Sequence, residues 1–146
     1  TNAVAAKSAL LALIQANATF TGVQVEYAYP GLSLEKRECV YFDESIEGPV
    51  GLASMRGGLA LKRDEDLTTL LRIKIRKPGV TILVNETRAV VLGTAFEGVI
   101  ATNPTLGDLT GLKLAKITNF AMTSVIDDEF ATTHVAYGVS FQSHNT

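Results

Sequence analysis

The sequence predicts an α+β fold, with a mixed, mainly antiparallel sheet of four to six strands flanked by two helices. Three observations predict it. Residues 67–76 alternate between apolar and polar, which is typical of a half-buried strand. Apolar residues recur every three or four positions over about 81–102, which indicates an amphipathic helix. Two strand-like segments, 112–126 and 130–141, flank an acidic turn near the end of the chain.

The first two elements predict how the core is built. In the strand, Leu71, Ile73 and Ile75 share one side, and Arg72, Lys74 and Arg76 share the other. Pro78-Gly79 ends the strand, and Thr81 is the expected N-cap of the central helix. We expect this helix to place its apolar stripe on the apolar side of the strand. The stripe comprises Leu92, Ala95, Phe96, Val99 and Ile100, and the opposite side of the helix carries Glu86, Gly93 and Glu97.

The N-terminal part predicts a second helix and a strand pair. Asn2 can cap a helix from Ala3 to about Ala16, whose many alanines favour helix intrinsically. A strand begins at Gly22, and a turn at Tyr29-Pro30-Gly31 follows it. Residues 37–43 form the partner strand. Because both of its sides are fairly apolar, we expect it to be covered on both.

The segment 44–66 predicts a long loop or a hairpin arm within a single domain that spans residues 1–146. It is rich in glycine and still carries apolar residues throughout, which is unusual because apolar groups need a surface to cover. Either it is a twisted hairpin that extends the sheet, or it is an arm that orders against another subunit. The candidate partner-interface residues in it are Ile46, Val50, Leu52, Met55, Arg56, Leu59 and Leu61.

Composition restricts the possible functions. The chain has 146 residues, of which 47% are hydrophobic and 19% charged, enough for an ordinary folded domain. The net charge of −2 argues against a nucleic-acid-binding surface across the whole domain. Cys39 is the only cysteine, so no intramolecular disulfide forms, and inside a strand it is expected to be a buried, inert thiol. The apolar run 4–14 is too short to span a bilayer.

No pattern in the sequence predicts a catalytic, cofactor or metal site. Asp64, Glu65 and Asp66 form one acidic run and Asp127, Asp128 and Glu129 a second, but neither has calcium-loop spacing, and we interpret both as solvated turns. His134 and His144 are too few for a histidine metal site. The ladder of Arg72, Lys74 and Arg76 lacks interleaved aromatics in the sequence, so its expected partners are carboxylates. The sequence therefore predicts a protein that is not an enzyme and that acts through its surfaces.

A series of short motifs resembles the tail terminator proteins of long-tailed, siphovirus-type bacteriophages. The N-terminal helix precedes V-Q-V-E-Y-A-Y-P-G, and R-E-C-V-Y-F-D follows. The charged strand then leads to R-K-P-G, a helix with an internal E-T-R-A run and N-P-T-L-G. Two long strands ending in V-A-Y-G-V-S-F complete the order. The resemblance covers nearly the whole chain and includes no catalytic signature.

The resemblance implies a virion structural protein that forms a homohexameric ring. Such a ring caps the tail tube, ends its polymerisation and joins it to the head-tail connector or stopper protein, while DNA passes through the hole without specific binding. It implies a place at the tail-neck junction after synthesis in the bacterial cytoplasm, with no membrane. Acidic groups would suit the lumen, so both acidic runs are candidates for lining it. The alternatives are another neck or tail protein, such as a stopper or a tube-related protein, or a small ligand-binding or enzymatic α+β domain.

Overall fold

The computed structural model describes residues 3–31, 34, 36–47, 50–54, 62–79, 81–127 and 129–145, with side chains at all of these except 44–47, 50–54, 62–65 and 144–145. In chain order the elements are α1 (Ala3–Ala16), a short 3₁₀ turn (Ala18–Phe20), β1 (Gln24–Ala28), β2 (Glu38–Glu47), β3 (Val50–Ser54), β4 (Lys62–Pro78), α2 (Ile82–Thr102), β5 (Leu112–Asp127) and β6 (Phe130–Asn145). Both predicted helices are confirmed within one residue.

The strands form one six-stranded mixed sheet, as the sequence predicts. Its order is β1-β2-β4-β6-β5, with β3 pairing separately to β4. Only β1 and β2 run parallel; the other pairs are antiparallel. The 17-residue β4 lies at the centre, because β2 and β3 pair along one of its edges and β6 along the other.

Both helices pack on the same face of the sheet and close the core there. Leu10 and Ile14 of α1 and Phe96 of α2 are fully buried in one cluster with strand residues such as Ile73 and Val135. The buried side of β4 is the predicted one, since Leu71, Ile73 and Ile75 are inaccessible to solvent. The predicted contact between the central helix and the apolar side of this strand is therefore confirmed.

The segment 44–66 is more regular than a loop. β2 continues to Glu47, and β3 pairs with the start of β4 from Val50↔Glu65 to Ser54↔Lys62. This agrees with the hairpin interpretation. The turn predicted at Asp64, Glu65 and Asp66 is wrong, because these residues lie inside β4 and pair with β6 as well. Hydrogen bonding on both sides outweighs the weak intrinsic preference of acidic residues for strands.

Three smaller sequence predictions concern the partner strand β2, the end of β6 and the start of α2. The covered partner strand is confirmed, since Cys39 and Tyr41 are as buried as Val40 and Phe42 on its other side. The polar segment from Ser143 to Thr146 would be expected to form a tail, but β6 pairs with β4 as far as Asn145↔Arg63 and Ser143 is buried. Thr81 does precede α2, but its side chain makes no capping hydrogen bond.

Candidate assembly surfaces

The outward face of α2 is apolar and exposed. Leu83, Val84, Val90 and Val91 expose 74%, 52%, 54% and 45% of their surfaces. Residues seven apart lie close to the same side of a helix, so Leu83 is next to Val90 and Val84 is next to Val91. Around the helix axis, Thr87 and Thr94 lie between these two pairs. Glu97 is the only charged residue among the exposed positions of α2. A contiguous apolar surface of this kind is typical of a contact with another protein.

The acidic residues expected on the outward side of α2 lie instead on its flank toward β5. Glu86 accepts a hydrogen bond of 2.9 Å from the Ser124 hydroxyl of β5. The Tyr137 hydroxyl donates a hydrogen bond to the Glu97 carboxylate. Burial, together with this carboxylate, raises the pKa of Tyr137 to about 12. Both acids therefore fasten the helix to the sheet. Glu86 is therefore half-buried, whereas Glu97 is exposed beside the outward face, and the rest of that face is uncharged.

Gly93 is buried, although the sequence places it on the polar side of the helix. A Cβ at this position would overlap the Tyr137 hydroxyl, so glycine is what allows the ring to lie under the helix. Tyr137 packs against Phe96 at 5.1 Å and against Phe120 at 5.3 Å between ring centroids. This stack holds Phe120 at the border of α2 and β5, where half of its surface stays exposed.

The opposite flank of α2 is fastened by an ion-pair cluster. Arg88 Nε and Nη2 donate to the two carboxylate oxygens of Glu38 at 2.8 and 3.1 Å, and Lys77 Nζ lies 3.6 Å from the same carboxylate. Burial alone would raise the pKa of Glu38, but the two cations outweigh burial and hold that pKa below its usual value. The cluster joins α2 to β2 and to the end of β4.

The basic ladder lies on the face of the sheet opposite the helices and has mixed partners. Arg72 Nε donates to Asp43 at 2.7 Å, which agrees with the expected carboxylate partner. Lys74 instead lies 5.0 Å from the centre of the Tyr29 ring, and Arg76 lies 3.9 Å from that of Phe130. The expectation that aromatics do not interleave with the ladder is therefore wrong. Both aromatics come from distant parts of the chain, which the local sequence pattern does not reveal.

The predicted partner-interface residues are only partly described. Ile46 pairs with Thr69, and Val50 and Leu52 pair with Glu65 and Arg63 in the β3–β4 hairpin. Met55, Arg56, Leu59 and Leu61 lie outside the described residues, as does Asp128 of the second acidic run. The sequence analysis does not predict the apolar outward face of α2, which consists of Leu83, Val84, Val90 and Val91. Their seven-residue spacing outside the buried stripe is the signal that could have found them.

The two acidic runs lie at different places in the sheet. Asp64, Glu65 and Asp66 are within β4, and Asp66 accepts a hydrogen bond from Ser140. Asp127 ends β5, and Glu129 lies in the exposed turn before β6, which agrees with the predicted turn there. No set of three or more metal-ligating side chains occurs together in the described ranges. Within these ranges, no helix is both long and apolar enough to cross a membrane.

Comparison with known proteins gives a likeness in fold. No protein family matches the sequence, and no curated protein matches it. Among solved structures, the chain is similar to a chain in the virion of a native gene transfer agent (GTA) particle. The two share 14% sequence identity and a TM-score of 0.52, and the alignment covers 94% of each chain. At this identity the likeness shows a common fold over nearly the full length of both chains.

Proposed function

We propose that this chain is a structural protein of a phage-like virion. The observation that carries the proposal is the shared fold with a virion chain across 94% of both molecules. The described surface supports it, because the largest unusual feature is an uncharged helix face suited to protein contact. We propose accordingly that the chain is not an enzyme and acts by fitting its outside against other subunits.

Within the virion, we propose the role of a tail terminator. The support is the order of the sequence motifs, which resembles that family. Two of these motifs lie at defined places in the fold. R-K-P-G lies at the end of β4, and N-P-T-L-G lies in the connection from α2 to β5. Three consecutive residues of this connection (Leu106, Gly107 and Asp108) have positive φ, so the motif encodes a particular backbone turn. A ring of copies would cap the tail tube, present a different face to the connector and so stop elongation without chemistry.

We propose that the outward face of α2 and the arm around residues 46–61 make the contacts with the tail tube and the connector. For the arm, we expect Leu52→Asp or Met55→Asp to give a folded protein that fails to join tails. Normal tail lengths with either variant would remove the arm from the interface. We propose that the acidic runs line the lumen, except for Asp127, which ends the edge strand β5. Density for the other residues of both runs on the outer rim in electron cryomicroscopy of an assembled tail would contradict it.

Loss of the chain from its own genome tests the role. If the chain ends tail polymerisation, particles lacking it carry tubes of widely varying and excessive length, and few tubes join to heads. Negative-stain microscopy of lysates measures the length distribution, and a plasmid copy should restore it. Tails of uniform, normal length without the chain would contradict a terminator. Uniform tails that remain unjoined to heads would point to a stopper.

A further inference from the structure

Among the described residues, no further strand pairs with either side edge of the sheet, and the two edges differ in length. β5 forms one edge along its 16 residues, which we call the β5 edge. The other, which we call the β1–β2 edge, consists of Lys36 and Arg37, then the short β1, and then the part of β2 beyond β1. β1 spans only five residues, and its last registered pair is Ala28↔Phe42, so β2 from Asp43 to Glu47 extends past it.

The β5 edge has little of the usual protection of an edge strand. Ten consecutive residues, 117–126, carry no charge and include no proline or glycine. Phe120, Val125 and Ile126 are exposed at 50%, 55% and 49%. Natural proteins normally protect such an edge with charges, proline, β-bulges or a covering element, because its free backbone groups pair readily with another strand. Of these devices β5 has, apart from charges at its two ends, only two register irregularities, at 112–114 and 117–119, so the stretch beyond residue 119 is suited to pairing with another chain.

At both ends of the sheet, the two edges carry opposite charges at the same position along the strand direction. At one end, Arg37 O accepts a hydrogen bond from Arg76 N. Arg76 is in turn opposite Thr132 of β6, and Thr132 is opposite Val125 of β5, so Arg37 and Val125 lie at the same position along the strand direction. Lys36 and Arg37 are thus level with the end of β5, where Asp127 lies. At the other end, Glu47 pairs with Thr68, Thr68 with Ser140, and Ser140 with Lys116. Basic residues on one edge therefore match acidic residues on the other at both ends.

We propose that the β5 edge of one copy docks against the β1–β2 edge of a second copy of this chain. β5 runs opposite to β1, so side-by-side copies in one orientation bring the two strands together antiparallel. Lys36 and Arg37 then meet Asp127, and the end of β2 at Glu47 lies level with Lys116. The same copy uses different surfaces on its two sides, and repetition of such a contact closes into a ring. The inference rests on the proposed function, which needs a ring, and names the surfaces that build it.

Zero-length coupling of amines to carboxylates tests the contact in the wild-type protein. Within one chain, Lys36 lies just before β2 and Asp127 at the end of β5, three strand spacings away. At the usual spacing their backbones are about 14 Å apart, so direct coupling between the two side chains requires two copies. We expect concentrated protein to yield a covalent ladder in which mass spectrometry finds Lys36 joined to Asp127. A ladder without this junction, or no ladder at about 1 mM protein, would overturn the inference.

Charge exchange supplies the matched control. Lys36→Glu with Arg37→Glu, or Asp127→Lys alone, should each weaken self-association by about tenfold or more in sedimentation velocity. Asp127→Lys changes the net charge from −2 to 0, so overall repulsion cannot explain the loss. Mixing the two variants, or combining all three substitutions in one chain, should restore association. Equal weakness of the combined chain would overturn the inference. These measurements need no tails. The edge contact can therefore be disproved while the terminator role holds, and the terminator role can be disproved while the edge contact holds.

Discussion

The two faces of α2 have nearly the same residue types and opposite surroundings. Leu92, Phe96, Val99 and Ile100 face the sheet and are buried, while Leu83 and Val90 face outward and are exposed. In a helix of a single folded domain, the outward face is normally charged or polar. The inward face completes the domain, whereas the outward face leaves apolar side chains in solvent, which is typical of a contact with another protein. We therefore propose that the inward residues determine folding and the outward residues assembly.

The largest effect is expected on the inward face. Phe96 is fully buried and stacks on Tyr137, so Phe96→Ala should lower the free energy of unfolding by about 3–5 kcal/mol. Chemical denaturation measured by circular dichroism checks this. A loss below about 1 kcal/mol would mean that α2 does not close the core as described.

A smaller loss is expected where α2 approaches the sheet most closely. Gly93→Ala introduces a Cβ against the Tyr137 hydroxyl, and the required shift of a buried ring should cost about 1–3 kcal/mol. Gly98→Ala is the matched control. Its Cβ would meet nothing within 4 Å, so the better helix former should stabilise the protein by about 0.5–1 kcal/mol. The same sign of change for both variants would contradict the close approach.

The ion pair on the flank of α2 should give a modest effect that depends on pH. The pKa of Glu38 is lowered in the folded chain, so its contribution is present above the ordinary value of 4.5 and is lost as the pH falls through the folded value. Glu38→Gln should therefore destabilise the protein by about 1 kcal/mol at pH 7. The difference from the wild type should shrink toward zero below the folded pKa. A constant difference from pH 7 to pH 3 would contradict the role of the charge.

The smallest effect on stability is expected on the outward face. Leu83→Ser should change the free energy of unfolding by no more than about 0.5 kcal/mol, because the side chain is 74% exposed. Leu92→Ser makes the same substitution in the same helix at a buried position and should cost about 2–5 kcal/mol. Thermal unfolding of the two variants side by side measures the contrast. Comparable losses would show that the outward face also belongs to the core.

The sequence predicts the elements better than it predicts their surfaces. Periodicity identifies both helices and the alternation of β4, because local spacing decides which side of an element is buried. The strand at Asp64–Asp66 is missed because pairing with β3 and β6 holds it, and no local pattern contains those partners. The Tyr29 and Phe130 rings beside the basic ladder are missed for the same reason. The sequence pattern also places Gly93 on the polar side of α2, whereas it is buried against Tyr137.

Complementation with an outward-face variant tests the central claim most directly. Leu83→Asp with Val90→Asp should leave the melting temperature of the purified chain nearly unchanged, since both side chains are exposed. In cells lacking the wild-type chain, we predict that this variant yields tails of excessive and varied length, as in its complete absence. Tails of normal length, measured by microscopy with the folded variant present, would contradict the claim that the protein works through this face.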